Sequence, residues 1–235
     1  GKGLPIERLK KDTSNSLYNK ADELVFEIFD EETRHLPAYK VVNNTPERDR
    51  VILINHVVNS GKGAAVATGY DWCRRFGIDC TVTIDWDCQM DPTEMEKICM
   101  PVTTKEVDFV KGNRLSHRAA HILIPSVRFF GNSVLSLLTK VASGYWGVTD
   151  TQTGYTAIGL KALNEIKLDK IYRRYGVPND ILIKLNINRA SIKEVDIKPV
   201  YGVGEQSKMK VLKVIPKISW LLVRSFFKRI WISYL

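Results

Sequence analysis

At 235 residues, with 44% hydrophobic and 26% charged side chains, the chain suits one α/β domain, or one domain with an appendage, around a sizeable core. Its net charge of +9 is lopsided: Ser207 to Leu235 holds seven basic residues and no acid, leaving 28 basic against 26 acidic side chains elsewhere. That distribution excludes a whole-surface nucleic-acid binder and points to a local anionic partner. Cys73, Cys80, Cys88 and Cys99 form no C-x-x-C pair, which argues against zinc and for reduced, mostly buried thiols in a protein facing the cytosol. There is no signal-peptide pattern and no run of 18 apolar residues to mark a membrane span.

Residues 1–20 are polar and loosely patterned. From Lys20 to His35, Ala21, Leu24, Val25, Ile28 and Phe29 recur at helical spacing, so an amphipathic helix with an acidic outer face is expected. Ala38–Val42 reads as a strand and Asn43–Pro46 as a turn. Val51–Ile54 is expected to be a buried strand running into a glycine-bearing loop, Asn59 to Ala65, that opens a helix through Trp72. Gly63 and its small neighbours would let backbone amides approach an anion, with Lys62 adding a point charge. The spacing is not that of a P-loop.

Cys80–Ile84 reads as a second buried strand, and Asp91-Pro92-Thr93-Glu94 as a turn into a helix. Between them, Asp85, Asp87 and Gln89 sit where a strand ends, the edge at which open α/β sheets bind ligands. Two carboxylates and an amide oxygen are hard donors of the kind Mg²⁺ or Mn²⁺ accepts, although a D-x-D pair is also ordinary composition for a solvated turn. Val107–Val110 is a third strand. Arg114, just beyond it, could grip a phosphate or pair with a nearby acid.

A helix is expected at Ser133–Ala142, then the polar loop Asp150–Tyr155 leading to a helix near Ala157–Ile166. Asn179 or Asp180 reads as the N-cap of a helix over Ile181–Asn186. Ser191–Lys198 alternates and should lie toward the sheet's edge. In the tail, Trp220, Val223, Phe227, Ile230, Trp231 and Tyr234 share one helical face, and Lys217, Arg224 and Lys228 another. That pattern suits a helix lying in an anionic membrane interface, or one packed on the domain.

In order, Asn59-Ser60-Gly61-Lys62-Gly63-Ala64-Ala65, Asp85-Trp86-Asp87-Cys88-Gln89-Met90-Asp91-Pro92, Lys111-Gly112-Asn113-Arg114, Arg128-Phe129-Phe130-Gly131-Asn132, Asp150-Thr151-Gln152-Thr153-Gly154-Tyr155 and Ser207-Lys208 resemble the family-2 glycosyltransferases. The likeness is greatest to the branch acting on dolichyl and bacterial polyprenyl phosphates, and it covers roughly Val51 to Lys208. It implies a GT-A fold, a Rossmann-like nucleotide-sugar-binding sheet flanked by helices, over residues 1–206, with 207–235 a basic membrane-interface segment. It also implies metal ligation by Asp85, Asp87 and Gln89 and nucleotide-sugar contacts from Lys62, Gly63, Asp85 and Arg114. Acceptor contacts would come from Arg128, Asn132 and Lys208.

The family's opening P-x-x-N-E segment and D-D-G-S-type motif are not found, so residues 1–50 are a divergent or incomplete nucleotide half. The basic residue expected shortly before Ser207-Lys208 is missing too, with Gly204-Glu205-Gln206 in its place. The activity implied is hexose transfer from a UDP- or GDP-sugar to a polyprenyl phosphate or related membrane or glycan acceptor, at the cytoplasmic face of a membrane. Asp87 would be essential, and Asp180 would be the base if the acceptor is a hydroxyl. The alternative is a non-catalytic GT-A-like binding or scaffold protein.

Overall fold

The computed structural model describes residues 36–41, 51–85, 89–116, 126–174, 176–198, 200 and 211–234, with only the backbone course given for 126–132, 211–217 and 233–234. The chain divides into two units, 1–35 and 36–235, and every described residue belongs to the second. The expected Lys20–His35 helix and Asn43–Pro46 turn lie outside the described residues, as do Asp87 and Lys208.

Four strands form the main sheet: β3 (Cys80–Thr83), β4 (Phe109–Asn113), β5 (Thr156–Gly159) and β6 (Ile192–Asp196), in the order β3-β5-β4-β6. The central strand β5 is antiparallel to both β3 and β4, while β6 runs parallel to β4 at the edge. Residues 156–159 were expected to begin a helix. They instead form the most enclosed strand, buried at all four positions, and only Leu160–Glu165 turns helical (α4). A short run whose Thr and Ile have strands to pair with on both sides is decided by those partners, not by its own propensity.

The pleat sends alternate side chains to opposite faces. Val110, Ala157 and Val195 meet Ile98 and Val102 of α2 (Met95–Thr103) on one face. Phe109 and Ile158 meet α1 (Lys62–Arg75) and α5 (Val177–Ile187) on the other. Outside α5 lie α3 (Ser126–Ser143) and α6 (Val211–Tyr234), joined to it through Ala142, Ile183, Ile218 and Leu222. The tail helix therefore packs within the same unit as the sheet.

Val51–Ile54 is not a buried strand. Among the described residues the pairing begins at Ile54: β2 (Ile54–His56) forms a two-stranded antiparallel ribbon with β1 (Tyr39–Val41), separate from the main sheet. Val51 is 74% exposed, and Leu53, Val57 and Val58 are exposed as well. A continuous apolar run records burial only when both faces are covered.

Candidate functional site

Because β5 is antiparallel to both β3 and β4, those two strands run parallel and finish at one edge of the sheet. The loop 150–155 enters β5 from that same edge. Three segments thus converge there: the chain after β3 that carries Asp85, the chain after β4 that carries Arg114, and Asp150–Tyr155.

Asp85 is met by the first residue of α1. Lys62 Nζ lies 2.5 Å from Asp85 Oδ2, both side chains only partly exposed. Gly154 closes the third side. A Cβ there would stand 2.7 Å from Asp85 Oδ2 and 3.2 Å from Lys62 Nζ, so only glycine allows the approach. Two further bonds hold the described residues around Asp85: the Asp85 N–H donates to the buried Met90 Sδ, and the Tyr155 hydroxyl donates to the Asp91 carbonyl. The turn into a helix expected at Asp91–Glu94 is present, and Asp91 caps it, accepting from the Thr93 N–H at 2.9 Å.

Lys111 is the residue that sequence reasoning passed over. It shares parity with Phe109, so it points to the α1/α5 face of the sheet, into a pocket lined by Lys62, Tyr70, Thr153, Gly154 and Pro178. Lys111 is 1% exposed, and its Nζ donates to the Thr153 carbonyl at 2.7 Å. Burial pushes its ammonium down to about 8, with Asp150 pulling the other way and Arg114 adding to the push. The available signal was a lysine inside an otherwise apolar strand, Phe109-Val110-Lys111-Gly112.

Arg114 pairs with an acid, the second of its two open readings. Its Nε donates to Asp150 Oδ2 at 2.8 Å, its Nη2 to Oδ1 at 3.1 Å, and its backbone N–H to Oδ2 at 3.1 Å. Asp150 is wholly buried and also accepts from the Gln152 and Thr153 amides. Burial alone would raise that carboxyl. Arg114 and Lys111 outweigh it and hold Asp150 below the usual carboxylate range. The pair orients the loop that brings Gly154 to Asp85.

Two expectations are corrected. The Gly63 N–H is not presented to a ligand, because it donates to the Arg173 carbonyl at 2.8 Å. A Cβ at Gly63 would lie 1.9 Å from the Tyr172 carbonyl, and one at Gly61, whose φ is +89°, 2.5 Å from that of Arg173. These glycines seat α1 against the 172–173 segment. Asp180 is not the N-cap: Gly176 is, and Asp180, 5% exposed, pairs with Lys184 and accepts the Tyr172 N–H at 2.8 Å. Asn179 is fully buried and accepts from Gln152 Nε2 at 3.0 Å. Arg128 and Asn132 fall in the first two turns of α3, their side chains outside the described residues.

Among the described residues no group of three acidic, His or Cys side chains gathers to hold a metal. The chemistry of the donors that are described nevertheless fits a hard divalent cation. Asp85 already holds one cation, the Lys62 ammonium, and its carboxylate and the Gln89 amide oxygen are both hard donors.

Residues 35–167 match the family model for glycosyl transferase family 2. A UDP-N-acetylglucosamine–dolichyl-phosphate N-acetylglucosaminyltransferase of Methanococcus voltae is 33% identical over 152 residues, covering 65% of this chain and 60% of that protein. A dolichyl-phosphate beta-glucosyltransferase of Trichomonas vaginalis is 25% identical over 194 residues, 81% of this chain and 58% of its own. The chain thus spans about three-fifths of the length of these relatives. Among solved structures, glucosyl-3-phosphoglycerate synthase of Mycobacterium tuberculosis, in complex with Mn²⁺, UDP-glucose and phosphoglyceric acid, superposes with a TM-score of 0.50 at 18% identity. That likeness covers 79% of this chain and 57% of the synthase, and speaks to the GT-A fold alone.

Proposed function

The chain belongs to glycosyl transferase family 2, and from that premise we propose that it carries the sugar-transferring site of an enzyme moving a hexose or N-acetylhexosamine from a nucleotide sugar to a polyprenyl phosphate. The observation that carries this reading is the Lys62–Asp85–Gly154 cluster, set above the buried Lys111 where β3 and β4 end. The dolichyl-phosphate acceptors in the names of both relatives support the acceptor class.

The chemistry asks little of a general base. A phosphate oxygen of the acceptor, already anionic, attacks the anomeric carbon, and the bond to the nucleoside diphosphate breaks with its electrons on the leaving phosphate. Lys62, released from Asp85, meets that growing charge, and Lys111 adds fixed positive potential from beneath. Asp85 and Gln89, with Asp87, would hold Mg²⁺ or Mn²⁺, which supplies Lewis-acid stabilisation of the diphosphate when bound. Arg114 and Asp150 position the loop that brings Gly154 to Asp85. Arg128, Asn132 and Lys208 are proposed for the acceptor side.

The acceptor resides in a membrane, and no helix among the described residues is long and apolar enough to cross one. We place the protein at the cytoplasmic leaflet, held by α6, whose Trp220, Phe227 and Trp231 are exposed while Ile218, Leu221 and Leu222 are buried. The test is transfer of labelled sugar from UDP- and GDP-sugars to a short-chain polyprenyl phosphate in detergent, with and without EDTA. Label should enter the lipid fraction, and EDTA should abolish it. Transfer at full rate in EDTA overturns the metal assignment.

A further inference from the structure

Ile192, Glu194 and Asp196 share one parity on the edge strand β6, the row that turns to the α1/α5 face, where Ile192 packs on the core. A carboxylate in that row needs donors, and Glu194, half-buried, has four among the described residues. Its Oε1 accepts the Thr149 N–H at 2.7 Å and the Asp150 N–H at 2.9 Å. Its Oε2 accepts from Thr149 Oγ1 at 2.6 Å and from Asn113 Nδ2 at 2.8 Å. Thr149 and Asp150 begin the loop into β5, and Asn113 ends β4, so one side chain ties both segments to the sheet's edge.

Only a carboxylate meets all four. Asn113 cannot turn its amide round to help, because its Oδ1 already accepts the Leu115 and Ser116 amides at 2.9 and 3.1 Å. In Glu194→Gln a single oxygen remains, so the new NH2 would face either the two backbone amides or Asn113 Nδ2. The four bonds reach the centre of the site by two routes. Asp150 continues into the loop that brings Gly154 to Asp85, and Thr153 of that loop accepts from Lys111. Lys111 is also the residue directly across from Glu194 in the β4–β6 register. Burial disfavours its ammonium, and Asp150 and, after it, Glu194 offset part of that.

We propose that Glu194 is a positioning residue for sugar transfer, the clamp that holds the end of β4 and the 149–154 loop in one arrangement and so sets Gly154 and Lys111 against the Asp85–Lys62 pair. The inference rests on the transfer reaction proposed above and adds to its site a residue on a fourth segment. Lys62 opens α1 and Asp85 follows β3, both outside the clamp, so nucleotide-sugar binding should survive its loss. What should suffer is the placement of Lys111 and the loop, which counts when charge grows on the leaving phosphate. The signature is a fall in kcat with KM nearly kept.

Full-chain Glu194→Gln is assayed for transfer from UDP- and GDP-sugars to a short-chain polyprenyl phosphate with Mn²⁺, and its amide hydrogen exchange is followed by mass spectrometry. Its kcat should fall at least about tenfold, with KM for the nucleotide sugar within about threefold of wild type. Amides in 149–155 should exchange at least about tenfold faster, while those of α5 do not change. Lys193→Gln, one residue away and paired with Glu106 at the surface, should match wild type in both readouts. Wild-type kcat in Glu194→Gln, or unchanged exchange in the loop, overturns the proposal. So does a loss confined to Tm, which a merely structural carboxylate would give, or a rise in KM that accounts for the whole effect. If Glu194→Gln fails to fold, Glu194→Asp takes its place, since it keeps the charge, shortens the reach by one methylene and carries the same expectations. Absence of transfer by wild type condemns the catalytic reading, and loop exchange then decides alone whether Glu194 is the clamp.

Discussion

Replacing Lys111 with methionine should strengthen the fold and disable the site. An ordinary lysine titrates near 10.5 and Lys111 is pushed down to about 8, so holding its charge in the folded state is disfavoured by about 3 kcal/mol. Between those two values the unfolded chain binds more protons than the folded one, so the wild type gains stability as pH rises from 8 to 10.5. Methionine keeps the length and removes the charge, but forfeits the hydrogen bond to the Thr153 carbonyl, worth about 1 kcal/mol. The net expectation for Lys111→Met is a gain of about 2 kcal/mol at pH 7, or roughly 4–8 °C in Tm for a protein of this size. The gain should shrink through pH 9 and vanish by pH 10.5. Thermal unfolding at pH 7, 8, 9 and 10 measures it, with nucleotide binding followed in parallel and expected to weaken at least tenfold. A variant less stable than wild type at pH 7, by a margin that does not change with pH, would refute the reasoning.

Other substitutions separate holding from acting. Asp150→Asn removes the wholly buried carboxylate of the Arg114–Asp150 pair, and should cost about 3–5 kcal/mol by denaturant unfolding. Because Asp150 is held below the usual carboxylate range, it stabilises the fold above that range and the contribution is lost as pH falls through its folded value. The Asn variant should accordingly lose less stability than wild type on going from pH 5 to pH 3. Gly154→Ala should fold, yet push Asp85 and Lys62 apart and lower nucleotide affinity at least about tenfold by calorimetry. Asp85→Asn should abolish transfer while moving Tm by no more than about 2 °C, since its pair is partly solvated.

The sheet was readable where periodicity and composition agreed: β3, β6, α1 and the tail helix lie where alternation and helical spacing put them, whereas β4 starts two residues later than the apolar run Val107–Val110 and continues to Asn113, because its pairing with β5 and β6 sets its length. Strand β5 was not, because four residues between a polar loop and a short helix carry no period, and their burial comes from β3 and β4. Val51–Ile54 misled in the opposite direction, since β-branched residues announce a strand but not what covers it. At the site, the strand-end position of Asp85 and the cation at Lys62 followed from chemistry and spacing. Their contact across the fold, Gly63 seated on Tyr172, and Asp180 paired inside its own helix depend on which segments meet, and no local pattern records that. Lys111 was written in plain view, but a lysine in a strand gains meaning only once the pleat assigns it a face.

The central claim is that the Lys62–Asp85 cluster serves sugar transfer from a nucleotide sugar to a lipid phosphate. The most direct measurement compares wild type and Asp85→Asn with Mn²⁺, labelled UDP- and GDP-sugars and a short-chain polyprenyl phosphate, counting label extracted into the lipid phase. The account predicts transfer from at least one nucleotide sugar by wild type and none above background by Asp85→Asn. Equal transfer by both proteins, or no transfer by wild type together with no calorimetric binding of UDP or GDP, would contradict it.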